Sequence, residues 1–264
     1  MFEKAGHRYW RCAGCTLVFA RGRANANFQE SIDDYEPAYR QYLSEGPVDA
    51  SNLDDVIGWI ESHVSLQSPA IRLLEVGAGS GKLVRRLRRM RPCQVSAIEP
   101  SGALFSAYSL GSLGIEATTL PELASREAAA YDVVTVLDVV EHVPEAAEFV
   151  DALARVTRPG GFVFLSTPDT GGLLARVLGR GWHHYNAYHF SLYGKRAIAE
   201  AGRRGGFRTV SLQHRSKRMP LDYLWNYVMD FVLARRRQGR EPEPSRFAIP
   251  INLADTLSIV WQRT

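Results

Sequence analysis

The chain has 264 residues, 45% of them hydrophobic and 23% charged, with a formal net charge of +4. That length suits one α/β domain with a small appendage, and no run approaches the ~20 apolar residues of a membrane span. Three cysteines make no disulfide framework and no leader-like segment opens the chain, so a cytoplasmic protein is expected.

The N-terminal stretch Tyr9-Trp-Arg-Cys-Ala-Gly-Cys-Thr-Leu-Val-Phe19 places a C-x-x-C turn before an apolar strand. Structural zinc needs four ligands. Only Cys12 and Cys15 stand together, with His7 a third candidate and Cys93 far along the chain, so zinc is not expected there. Residues 21–48 are polar and aromatic, including Tyr35, Tyr39 and Tyr42. Ser51-x-x-Asp54 has capping-box spacing and predicts the start of a helix whose apolar face carries Leu53, Val56, Ile57, Ile60 and Val64.

Ile71 to Val76 reads as a buried strand, followed by Gly77-Ala-Gly-Ser-Gly81 and a helix with Leu83, Val84, Leu87 and Met90 on one face. A ligand could approach the backbone at the carboxyl end of this strand. A dinucleotide fingerprint would place its third glycine at position 82, where this chain has Lys82, so a nicotinamide oxidoreductase is disfavoured. The pattern is instead Glu75-x-Gly77-x-Gly79-x-Gly81. Val95 to Glu99 predicts the second strand, with Glu99 placed to accept hydrogen bonds from both ribose hydroxyls; a solvent-facing carboxylate is the alternative. Pro100-Ser101 starts a helix, and Ile115 to Thr119 reads as a third strand. Val133 to Leu137 reads as the fourth, Asp138-Val-Val-Glu-His142 as the loop beyond it, and Pro144 as the start of a helix. Arg158-Pro-Gly-Gly161 should then turn the chain into a fifth strand, Phe162 to Ser166.

The glycine pattern resembles motif I of the S-adenosylmethionine-dependent methyltransferases. The order strand, D-x-x-E-H loop, helix, P-G-G and strand resembles their ubiquinone-biosynthesis-like small-molecule branch, over residues 71–168. The resemblance implies a Rossmann-like α/β fold: a seven-stranded, mostly parallel sheet with helices on both faces and an antiparallel last strand. It implies S-adenosylmethionine as cofactor and S-adenosylhomocysteine as product, held by Glu75, Gly77, Ala78, Gly79, Gly81, Glu99, Pro100, Leu120, Asp138 and Val139. The acidic residue common just before Leu120 is missing. Some relatives with an E-x-x-E-H loop use a divalent ion. Asp138, Glu141 and His142 have suitable atoms, but Asp138 replaces the first Glu and no metal is expected. The N-terminus resembles a zinc ribbon that lacks its first knuckle, as carried by certain sugar-modifying relatives, and the tyrosines of 21–48 would close over the cofactor or pack the extension.

A short helix near 173–178 precedes Gly181-Trp-His-His-Tyr-Asn-Ala-Tyr-His-Phe-Ser191, whose aromatic and histidine content suits a pocket wall. A helix from Tyr193 to Arg204, a sixth strand from Phe207 to His214 and a seventh from Thr256 to Gln262 complete the fold. Residues 1–45 are thus expected as an N-terminal extension and 46–264 as the catalytic domain, with an insertion at 215–250. Its apolar face (Leu221, Leu224, Trp225, Val228, Phe231, Val232) could be a substrate lid, a homodimer surface, a membrane-surface helix or an ordinary packed helix.

Methyl transfer from a sulfonium needs alignment and exclusion of water, and a hydroxyl acceptor needs a base, commonly histidine. His189, His142 and His184 are the candidates, His189 first because it comes from the acceptor wall. The expected activity is methylation of O, N or C of a small metabolite, either a sugar or glycan precursor or a natural-product scaffold. Arginines at 85–91, 203–208, 215–218 and 235–240 leave RNA or another nucleic acid as an alternative. The loop after the fourth strand lacks the N-P-P-Y-like motif of base-amino methylation, so nucleic acid is not the expected partner. A non-catalytic cofactor-binding module is the remaining alternative.

Overall fold

A computed structural model describes residues 1–4, 7–21, 47–186, 188–220 and 248–264. The tyrosine-rich segment, apart from its ends, and the apolar face at 221–232 lie outside the described residues. The central sheet has six strands in the order β5-β4-β6-β7-β12-β9. These are β4 (Arg72–Val76), β5 (Gln94–Ile98), β6 (Tyr131–Leu137), β7 (Thr157–Pro168), β9 (Phe207–His214) and β12 (Thr256–Arg263). Strands β4 to β7 run parallel, while β12 is antiparallel to both β7 and β9.

Alternation along these strands builds two cores from one run of residues. Val133, Phe164 and Val260 face one side, with Ile57, Ile60 and Leu87. Their chain neighbours Val134, Leu165 and Trp261 face the other, with Leu153 and Ile198. The helices supplying these faces are α1 (Pro47–Glu61) and α2 (Lys82–Met90) on one side, α5 (Ala146–Val156) and α7 (Lys195–Arg204) on the other. Helices α3 (Gly102–Ala107), α4 (Leu120–Arg126) and α6 (Leu173–Leu178) are the others among the described residues.

Three local expectations are corrected. The expected third strand does not form, which leaves six strands in the sheet among the described residues: Ile115 to Thr119 contributes only an isolated bridge, Ile98 to Glu116. Thr119 instead caps α4 in a reciprocal capping box with Glu122, whose carboxylate also accepts the Thr118 hydroxyl (2.9 Å). Those side-chain bonds draw the backbone out of the ladder. Second, α1 begins at Pro47, so Ser51 lies inside the helix, and Asp54 forms a bidentate pair with Arg86 (2.8 and 2.7 Å). Third, Pro159-Gly160-Gly161 does not separate helix from strand. It lies within β7, where pairing with β6 jumps from Tyr131–Thr157 to Val133–Phe162, as at a bulge.

The N-terminal residues form an antiparallel ribbon, β1 (Phe2–Lys4), β2 (His7–Arg11) and β3 (Val18–Arg21). It pairs through Val18 and Phe19 with β8 (Ser191–Leu192). Its Tyr9 packs with Trp182 and Leu192 in a separate apolar cluster. A two-stranded hairpin, β10 (Lys217–Pro220) with β11 (Ala248–Ile251), follows β9. The parallel strands end at Val76, Ile98 and Leu137, and the antiparallel β12 starts at Thr256 beside His214 and Pro168. The glycine loop, Asp138, Asp255 and the chain beyond His214 therefore share one rim of the sheet.

Candidate active site

The first part of the site is made by backbone. Gly77 has φ +72 and stands so close to the next loop that a Cβ there would lie 2.6 Å from the Val139 side chain. The chain can turn there only without a side chain. Gly77 and Ala78 both donate N–H bonds to the carbonyl of Ile98 (2.9 and 3.0 Å). Gly79, at φ +57, donates its N–H to the Glu99 carboxylate (2.8 Å), whose other oxygen accepts the N–H of Ser101 (2.9 Å). Glu99 is only 5% exposed, and burial raises its pKa despite these two bonds. Pro100 sits between the two bonded residues. Gly81 is the N-cap of α2. Glu75, at the end of β4, accepts the Val84 N–H from the first turn of α2.

The other Glu75 oxygen, Oε2, is buried with no hydrogen-bond partner among the described residues. Burial, followed by the neighbouring Glu99 charge, pushes its pKa up to about 8. An orphaned carboxyl oxygen beside a side-chain-free turn fits a ligand carrying a hydrogen-bond donor or a positive charge. Leu120 is placed in the core at the start of α4.

The second part is made by side chains from distant segments. Asp138 holds φ +54, a strained conformation for a residue with a Cβ. Its N–H and Oδ1 both bond Ser166 of β7: the N–H donates to the Ser166 carbonyl and hydroxyl (both 3.1 Å), and that hydroxyl donates to Oδ1 (2.7 Å). Burial works to raise its pKa, but Lys217 and Ser166 outweigh burial and hold it low. Lys217 Nζ lies 3.5 Å from Asp138 Oδ2, and both side chains remain about half accessible (56% and 50%). Glu141 is buried, accepts the Thr167 hydroxyl (3.0 Å), and is pushed up to about 8 by burial and then by Asp138.

The three predicted histidines come together here. The rings of His142 and His189 meet edge to face at 4.8 Å, and those of His184 and His189 stack at 5.5 Å. A carbonyl can only accept, so His189 Nδ1 donates to His184 O (2.8 Å) and His142 Nδ1 to Tyr188 O (3.0 Å). That fixes the tautomers and leaves Nε2 unprotonated in each neutral ring. Burial lowers the pKa of all three, far below the usual value for His184 and His189. In all three, burial favours the neutral ring.

Sequence reasoning missed Lys217, Ser166 and Thr167 as site residues. Strand β7 offered no signal for its two hydroxyls, and Lys217 was one residue of a basic run. Among the described residues, two groups have ligand atoms within 4.8 Å of one another and could hold a metal: Glu141 with His142 and His189, and His183 with His184 and Asp255. Cys12 and Cys15 are free thiols, and a hydrogen-bonded Cys12–Cys15 contact lowers the pKa of Cys12. No helix among the described residues is long and apolar enough to cross a membrane.

A family described as "Methyltransferase domain" matches residues 50–212. The chain is similar to a ubiquinone biosynthesis O-methyltransferase of Burkholderia vietnamiensis, 35% identical over 146 residues, or 49% of this chain and 62% of the relative. It is 32% identical over 163 residues to the protein of that name from Burkholderia pseudomallei, covering 55% and 69%. It thus spans about two thirds of the length of these relatives, and less than that of the first. Among solved structures, a SAM-dependent methyltransferase of Thermotoga maritima aligns with a TM-score of 0.60 at 12% identity, over 90% of this chain and 100% of that one. The 1,6-didemethyltoxoflavin-N1-methyltransferase of Burkholderia thailandensis, solved with 1,6-didemethyltoxoflavin and S-adenosylhomocysteine, aligns with a TM-score of 0.57 at 15% identity, over 98% and 100%. At such identities the structural likeness shows the fold.

Proposed function

The chain belongs to the methyltransferase-domain family, and from that premise we propose that it transfers a methyl group from S-adenosylmethionine to an oxygen of a small metabolite. The observation that carries this reading is the joining of two unlike halves at one sheet rim. The glycine turn closed by Glu99 abuts Val139 of the loop whose His142 ring meets His189.

Glu75, Gly77, Ala78, Gly79, Gly81, Glu99 and Pro100 would hold the cofactor, with Asp138 and Val139 from the neighbouring loop; Leu120, buried in the core, could support the adenine side from behind. When bound, the cofactor supplies an electrophilic methyl on a sulfonium. The protein's own residues then have three tasks. Glu99 orients the ribose end, and its two backbone bonds leave lone pairs for hydroxyl donors. His189 accepts the proton of the acceptor hydroxyl at Nε2, because its Nδ1 is committed to the His184 carbonyl. His142 and His184 pack against His189 and hold its ring in place, His142 being the second candidate for the base. The aromatic wall of Trp182 and Tyr185 helps to exclude water.

The two relatives named above carry O-methyltransferase names, which favours oxygen over nitrogen or carbon as the acceptor atom. A sugar or natural-product scaffold remains the proposed class of acceptor, with nucleic acid the competing one. Incubation with methyl-labelled S-adenosylmethionine and fractionated lysate tests the reading. Label in the small-molecule fraction is the expected outcome. Label confined to RNA would overturn it, and cofactor binding with no transfer to any fraction would make the protein a binding module.

A further inference from the structure

Lys217 lies beyond residues 50–212, the part matched by the methyltransferase family, yet its ammonium lies 3.5 Å from Asp138 of the candidate site. Its position is fixed from both sides. The Arg215 guanidinium lies over the Trp59 ring (4.6 Å), while Arg218 exchanges backbone bonds with the Asn52 side chain of α1 (2.8 and 3.0 Å). Strand alternation sends Lys217 to the side opposite Arg218, toward Asp138. There the ammonium stays charged, its pKa raised first by Asp138 and also by Asp255 and Glu141. A cation partly withdrawn from water favours an anionic partner. Here the pairing is loose: one contact at 3.5 Å, on a side chain with three donors.

Asp138 and Lys217 thus present a negative and a positive group side by side. Asp138 adjoins the glycine turn, since Val139 is the residue that abuts Gly77. An α-amino-acid head carries an ammonium and a carboxylate on one carbon, and such a pair is its electrostatic complement. We propose that Asp138 and Lys217 receive the zwitterionic amino-acid head of the cofactor, with Lys217 taking the carboxylate and Asp138 the ammonium. The inference rests on the cofactor reading above and adds to it a cofactor-binding residue supplied by the β10–β11 hairpin.

Calorimetric titration with S-adenosylhomocysteine and with 5′-methylthioadenosine, which keeps the nucleoside but lacks the amino-acid head, separates the outcomes. Loss of a hydrogen bond to a charged group predicts that Lys217→Gln weakens S-adenosylhomocysteine about 10- to 100-fold and leaves 5′-methylthioadenosine unchanged. Lys217→Arg should restore most of the lost affinity. Equal affinity of wild type and Lys217→Gln for S-adenosylhomocysteine would overturn the inference and leave the cofactor reading intact, whether or not turnover falls. An equal loss for both ligands would also overturn it, by making Lys217 a structural support. Wild-type protein that binds neither ligand would overturn the cofactor reading as well.

Discussion

The turn at residues 75–101 and the wall formed by 138–142, 182–193 and 217 are built on opposite principles. In the turn, carboxylates are held by backbone N–H groups of Val84, Gly79 and Ser101. In the wall, side chains meet side chains or carbonyls from segments far apart, as with Asp138 and Ser166 or His142 and Tyr188. Backbone donors cannot be exchanged by substitution, whereas side chains can. The turn therefore suits a ligand that stays constant, and the wall one that varies between relatives.

That contrast should break most sharply at Gly79. Gly79→Arg demands a left-handed backbone from a side-chain-bearing residue, costing about 1–2 kcal/mol, and fills the turn. S-adenosylhomocysteine binding should vanish by calorimetry while cooperative unfolding persists; unchanged affinity would remove the turn from the cofactor site. On the wall, His189→Ala should lower turnover by about 10²–10⁴-fold with cofactor affinity unchanged. Turnover equal to wild type would exclude His189 as the base. Gly77→Ala should act on stability, because the new Cβ meets Val139 at 2.6 Å in a left-handed backbone. A loss of roughly 2–4 kcal/mol is expected from denaturant midpoints, from strain plus overpacking.

The smallest effect is a pH trend that sets carboxyl groups against histidines. Glu75 and Glu141 are raised from 4.5 to about 8, so the native state keeps protons that the unfolded chain releases. Their contribution is full below pH 4.5 and is lost as pH rises toward 8. His184 and His189, shifted below 6.5, contribute above pH 6.5 and lose that contribution as pH falls. Between pH 6.5 and 8 the carboxyl groups dominate, so the urea midpoint of the ligand-free protein should decline. Glu141→Gln should flatten the decline, and parallel curves would show that Glu141 is not the titrating group.

The sequence was most informative where structure is local. Strand β4, the glycine turn and α2 occupy consecutive residues and carry their own periodicity, and Glu99 follows one strand later. The histidines were visible as residue types suited to a wall, and the fold brings all three together. Elements that depend on competition were misread. Thr119 and Glu122 satisfy each other and leave Glu116 with a single bridge, and the bulge in β7 absorbs a sequence that reads as a turn. Lys217 had no local signal, because its role depends on two neighbouring arginines being anchored to α1.

The most direct test is the crystal structure of the S-adenosylhomocysteine complex. Hydrogen-bond and attack distances in series predict the thioether sulfur pointing at the histidine wall, with the His189 Nε2 roughly 5–7 Å away and the ribose hydroxyls on Glu99. A sulfur directed away from that wall, or a ribose held elsewhere than Glu99, would contradict the account.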